Sequence, residues 1–127
     1  MTNSRAKGAR IERAAAKYLT SLGFPAERNA RNGKSTDDLV VPSLPNVHIE
    51  VKGDRKIDID TQALCAAIDQ AEECKHDGQL ACVLWYEHRK GWRLSLFDRD
   101  GLFATYTGDD IARALKLLNR GCQTVFR

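Results

Sequence analysis

From Ser4 to Leu22 the apolar residues recur at helical spacing. Ala9, Ala16 and Leu19 fall with Glu12 on one face, and Ile11, Ala15, Tyr18 and Leu22 on the next. Gly23 supplies the stop, because glycine reaches the left-handed conformation that ends helices without a Cβ clash. The pattern then shortens to that of strands. Phe24–Asn29 predicts a short strand, and Asn32-Gly33-Lys34-Ser35 a turn or flexible loop. Two more strands are predicted at Asp38–Val41 and Val47–Lys52. The two prolines in Pro42-Ser43-Leu44-Pro45-Asn46 forbid a continuous strand and force a turn between them.

A second helix opens with Asp60 or Thr61 as N-cap and runs to about His76, with Leu64, Ile68 and Ala71 as its stripe and Asp77-Gly78 as its end. Leu80–Tyr86 and Trp92–Phe97 read as strands joined by the glycine-containing hairpin loop Glu87-His88-Arg89-Lys90-Gly91. Leu102–Tyr106 suggests a short edge strand. Gly108 or Asp109 caps a last helix, with Ile111, Ala114, Leu115 and Leu118 on one side and Gly121 at its end. The predicted order, α-β-β-β-α-β-β-α with the extra edge strand before the last helix, implies an α/β (α+β) fold with a mixed central sheet flanked by helices. Neither repeats nor linkers interrupt it, and 127 residues suit a single domain over 1–127.

Charge changes this picture. Residues 1–34 carry eight basic side chains (Arg5, Lys7, Arg10, Arg13, Lys17, Arg28, Arg31 and Lys34) against two acids, Glu12 and Glu27. The other 93 residues hold 12 basic and 15 acidic side chains, so the overall +3 conceals a positive lobe on a more acidic body. Such a lobe suits a polyanionic partner, because Lys and Arg contacts to phosphate dominate nucleic-acid affinity; a solvated helix face has the same composition. No apolar run approaches the ~18 residues that span a bilayer. The polar, basic start is not a secretory signal, and the four scattered cysteines form no C-x-x-C pair, so the expected setting is cytoplasmic, with reduced, packed thiols and no zinc site.

The chemistry centres on Val47-His48-Ile49-Glu50-Val51-Lys52. A strand's period of two puts His48, Glu50 and Lys52 on one face and Val47, Ile49 and Val51 on the other. Twelve residues before Glu50, Asp38 opens the apolar run Leu39-Val40-Val41. Carboxylate oxygens suit hard cations, so Asp38 and Glu50 are natural ligands for Mg²⁺, with Mn²⁺ as a substitute, and Lys52 stands where it can orient a water or offset phosphate charge. Glu-x-Lys alone is an ordinary charge pair of surface strands; the upstream aspartate is what makes it informative. His48 shares the Glu50 face, with a structural or solvent-facing role preferred to one at the rim of a site. Trp85 and Trp92 are expected to pack in the core or hairpin. Cys74 and His76 lack further ligands for a metal site.

These elements, together with Lys7-Gly8-Ala9-Arg10-Ile11-Glu12-Arg13 on the first helix, resemble the PD-(D/E)XK nuclease superfamily. Order and spacing are similar to those of archaeal-type Holliday junction resolvases and related small phage-encoded nucleases, over about residues 5–97. The stretch Asp38–Lys52, Gln70-Ala71 on the second helix and Gly91-Trp92-Arg93-Leu94 carry the likeness; the last 30 residues do not share it. The resemblance implies a restriction-endonuclease-like core, metal binding by Glu12, Asp38 and Glu50, catalysis by Lys52, and an accessory role for Gln70. It also implies DNA contacts from Arg13 with Arg28 or Arg31, beside Arg5, Lys7, Arg10 and Lys34 of the basic segment. In the Lys7–Arg10 stretch, Gly8 lets the backbone approach DNA closely. Where many relatives have proline before the motif aspartate, this chain has Asp37. That leaves Asp37 beside Asp38 as a candidate, Asp38 being preferred because it adjoins the apolar run.

The expected activity is therefore Mg²⁺-dependent cleavage of branched DNA, most favourably a four-way junction, by a C2 homodimer with one site per strand cut. Its interface candidates are the last helix and Leu102–Tyr106. Rival readings are a nuclease for flaps, single strands or duplex, a DNA-binding module that has kept the fold without cutting, and a small regulatory protein with a charged surface.

Overall fold

The computed structural model describes residues 4–29, 38–53 and 60–122, with side chains from Gly8 onward. The Asn32–Ser35 turn, Arg31, Lys34 and Asp37 lie outside the described residues, as do the side chains of Arg5 and Lys7. The described elements are α1 (Ser4–Ser21), β1 (Glu27–Arg28), β2 (Leu39–Val40), β3 (Val47–Lys52), α2 (Thr61–Cys74), β4 (Leu80–Glu87), β5 (Gly91–Phe97), β6 (Phe103–Thr107) and α3 (Asp109–Asn119). The fold is α+β, a mixed four-stranded sheet flanked by helices. No helix of the described residues is long and apolar enough to cross a membrane.

The sheet runs β3-β4-β5-β6, with β3 and β4 parallel and the other pairs antiparallel. A parallel pair needs a crossover, and α2 supplies it. Asp60 caps α2 by accepting the Ala63 N–H at 2.7 Å. Leu64, Ala67, Ile68 and Ala71 of α2 bury against Ala81, Val83 and Trp85 on one face of the sheet. On the other face, Ile11, Ala15 and Leu19 of α1 and Ile111, Leu115 and Leu118 of α3 meet Val47, Ile49, Val51, Leu84, Leu94 and Leu96. Tyr18 stacks on Trp92 with ring centroids 5.3 Å apart, fastening α1 to the hairpin. Trp85 donates Nε1–H to Ser95 Oγ at 3.0 Å, so both tryptophans are engaged within the fold.

Four expectations change. The strand predicted at Phe24–Asn29 is confined to Glu27–Arg28: Pro25 lacks an N–H for a ladder, and Phe24 is drawn into the core. The strand at Asp38–Val41 shrinks to Leu39–Val40, because Pro42 has no N–H with which to carry the ladder on. These two stubs pair with each other antiparallel, as a separate ribbon beside the sheet instead of strands within it. Finally, Ile111, Ala114, Leu115 and Leu118 are fully buried in the chain's own core, which removes the apolar stripe of α3 as an interface candidate.

Candidate active site

Glu50 and Lys52 stand at the C-terminal end of β3, where Gly53, at φ +114°, turns the chain away in a conformation that favours glycine. Register places His48, Glu50 and Lys52 opposite Ala81, Val83 and Trp85, on the α2 side of the sheet. The parity read from the sequence therefore holds. The polar face, however, is roofed by α2, so His48 and Glu50 are only 2% and 4% exposed. His48 is thus buried within the fold and does not face solvent.

Asp38 reaches this edge from the residue before β2. Its Oδ2 accepts the Val51 N–H at 2.9 Å, which seats the carboxylate against the backbone between Glu50 and Lys52. Glu12 arrives from α1 and Gln70 from α2. All five side chains, Glu12, Asp38, Glu50, Lys52 and Gln70, line one open cleft of about 450 Å³. A second lobe of about 360 Å³ continues past Lys52 and Gln70 onto the alanines of α2.

Electrostatics divide the two central acids. Burial raises Asp38, the Val51 N–H opposes that, and the hydrogen bond and charge of Glu50, with the charge of Glu12, push it further, from 3.8 to about 7. Glu50 is also pushed up by burial. Hydrogen bonds from His48 and Asp38 and the electrostatic influence of His48 and Lys52 outweigh this and hold it below its ordinary value. Below about pH 7 Asp38 therefore keeps a proton that it donates to the Glu50 carboxylate.

Among the described residues no three or more acidic, histidine or cysteine side chains stand together as a ready ligand set. The contacts show why. Glu12 Oε1 accepts Arg28 Nε–H at 2.9 Å, Glu50 Oε1 lies 3.0 Å from His48 Nε2, and Asp38 is tied to Val51. The donors nonetheless fit a hard divalent ion. They are carboxylate oxygens lining one cleft, and the charges of Glu50 and Glu12 raise Asp38, the repulsion expected of acids gathered without a cation. A cation in that place removes the same repulsion.

Of the basic residues named from the sequence, Arg10 and Arg13 are exposed on α1 and, with Lys17, follow i, i+3, i+7 spacing along one side of the helix. Arg28 is turned toward Glu12. Sequence reasoning missed two partnerships, Arg28 with Glu12 and His48 with Glu50; only the shared parity of the second pair hinted at contact. Comparison with family models, curated proteins and solved structures finds no match for this chain.

Proposed function

We propose that the chain is a metal-dependent, structure-specific DNA endonuclease of the PD-(D/E)XK type, with a restriction-endonuclease-like core and four-way junctions as its favoured substrate. One observation carries this reading: five side chains, picked out across 59 positions of sequence from Glu12 to Gln70, line a single cleft. The helix crossover between the parallel β3 and β4, with Glu-x-Lys at the end of β3, supports the finer fold assignment.

Glu12, Asp38 and Glu50 would hold Mg²⁺, or Mn²⁺ in its place. When bound, such an ion supplies Lewis-acid polarisation of a phosphoryl oxygen and a lowered pKa for water. The rest is the work of the chain. The ammonium of Lys52, beside Glu50, orients the attacking water and offsets charge that grows on the scissile phosphate. The Gln70 amide borders both lobes of the cleft and holds the substrate or its water in line. The basic ridge of Arg10 and Arg13, with Arg5, Lys7, Arg28, Arg31 and Lys34, grips the DNA backbone without reading its sequence. Two symmetric cuts require two sites, hence a C2 homodimer. Leu102 and Phe103, 52% and 39% exposed at the edge strand, are the apolar pair offered to it.

Cleavage assays on a synthetic four-way junction, a flap, a single strand and a duplex, each with Mg²⁺ and with EDTA, test the proposal. Preferential Mg²⁺-dependent cutting of the junction supports it. Preference for another substrate moves the chain to a different nuclease role, and no cutting of any substrate rejects the enzyme.

A further inference from the structure

Glu50 is a carboxylate with almost no water around it, and isolated buried charge is costly unless hydrogen-bonded. One partner is the similarly buried His48, two residues back on the same strand face, with Nε2 3.0 Å from Glu50 Oε1. A carboxylate only accepts, so the imidazole donates through Nε2–H. The His48 side chain is itself only 1% exposed. Its backbone is held by the neighbouring strand, where the His48 carbonyl receives the Cys82 thiol at 3.7 Å, and the residue borders a small cavity of about 170 Å³ shared with Pro42 and Pro45. A buried donor fixed to β3, at one edge of the sheet, therefore meets one oxygen of a carboxylate that also lines the cleft.

Resting on the nuclease reading above, we infer that His48 is a positioning residue: by its hydrogen bond to Oε1 it holds Glu50 in the orientation that presents the carboxylate to the metal. Groups that orient a ligating carboxylate are worth about 10–100-fold in metal affinity or activity. A buried histidine that merely fills space would affect stability and leave ion affinity alone. The two roles separate in the protein without DNA.

The test is calorimetric titration of Mn²⁺ into wild type, His48→Phe, His48→Gln and His48→Asn, with thermal melts of each and Mn²⁺-dependent junction cleavage alongside. Glutamine places its amide N–H near the position of Nε2; asparagine places it nearer Nδ1. The inference requires His48→Phe to lose about 10–100-fold in Mn²⁺ affinity, His48→Gln to recover most of that loss, and the KM for DNA to stay put while the Mn²⁺ requirement rises. If His48→Phe does not fold, Gln binding more tightly than Asn still upholds the inference, and equal affinities overturn it. Wild-type Mn²⁺ affinity in a folded His48→Phe overturns the inference and leaves the nuclease reading intact. A wild-type protein that neither binds Mn²⁺ nor cuts DNA overturns both.

Discussion

Asp38 is bonded to Val51 at 2.9 Å, carboxylate to backbone N–H, at the residue between Glu50 and Lys52. That one contact joins a two-residue ribbon to the edge of the main sheet, and it packs two acids together at the end of β3. Much of the behaviour of the site follows from their mutual repulsion.

Stability without metal should fall as pH rises from about 4 to about 7. Asp38 is raised from 3.8 to about 7, so the folded chain holds a proton across that window which the unfolded chain has released. Glu50 acts in the opposite sense: its lowered value contributes stability above its ordinary 4.5 that is lost as pH falls further into acid. Urea melts at pH 5 and pH 8 in EDTA should give the higher midpoint at pH 5. Mg²⁺ should restore stability at pH 8, and Asp38→Asn should flatten the difference. For the same reason, Mg²⁺ affinity and cleavage should rise with pH through about 7, as the ion no longer competes with a proton.

Glu50→Ala and Lys52→Ala should each lower single-turnover junction cleavage by at least about 100-fold, the scale of one lost charge-stabilising group in an active site. Gel-shift affinity in Ca²⁺ or EDTA should change little, because the proposed phosphate contacts come from the basic segment that ends at Lys34 and not from Glu50 or Lys52. Normal cutting by both variants would mean that the cleft is not the active site.

Arg10→Ala and Arg13→Ala should weaken binding to every DNA tested by similar factors, and each should reduce the slope of log K against log salt by about one. Gel shifts at several salt concentrations read this directly. Arg28→Ala should cost little in stability, because its pair with Glu12 is partly exposed and such pairs are worth about 0–1 kcal/mol.

Ser95→Ala tests the sheet apart from the site. Ser95 is fully buried, accepts Trp85 Nε1–H at 3.0 Å, and shares a hydrogen bond with Thr105 Oγ1 at 2.8 Å. Its loss leaves a buried indole N–H unsatisfied, which should cost about 1–3 kcal/mol in chemical denaturation with cleavage retained at low temperature.

The three helices and the long strands were legible in the chain because each has a period and a stop. Leu64, Ile68 and Ala71 mark the buried side of α2, and Gly23 and Gly121 close α1 and α3 at positive φ. The short strands were not, since Pro25 and Pro42 work against pairing that β-prone neighbours such as Phe24 and Val41 favour. The burial of His48 was hidden for a different reason. Alternation tells which side of β3 a residue takes, but whether that side is wet depends on α2, which begins only at Thr61 and folds back over it. The acids were readable as a set only through spacing; their individual partners, Arg28 for Glu12 and Val51 for Asp38, are tertiary contacts with no local signature.

The central claim is that Glu12, Asp38 and Glu50 share one ion beside Lys52. Crystals grown at pH 8 and soaked in Mn²⁺ test it most directly, through the anomalous signal of the metal. The account requires a peak in the cleft with carboxylate oxygens of Asp38 and Glu50 at about 2.0–2.2 Å, the spacing that small hard cations take, and with Glu12 turned toward it from Arg28. A cleft without a peak at saturating Mn²⁺, or a peak bound only elsewhere on the chain, would contradict it.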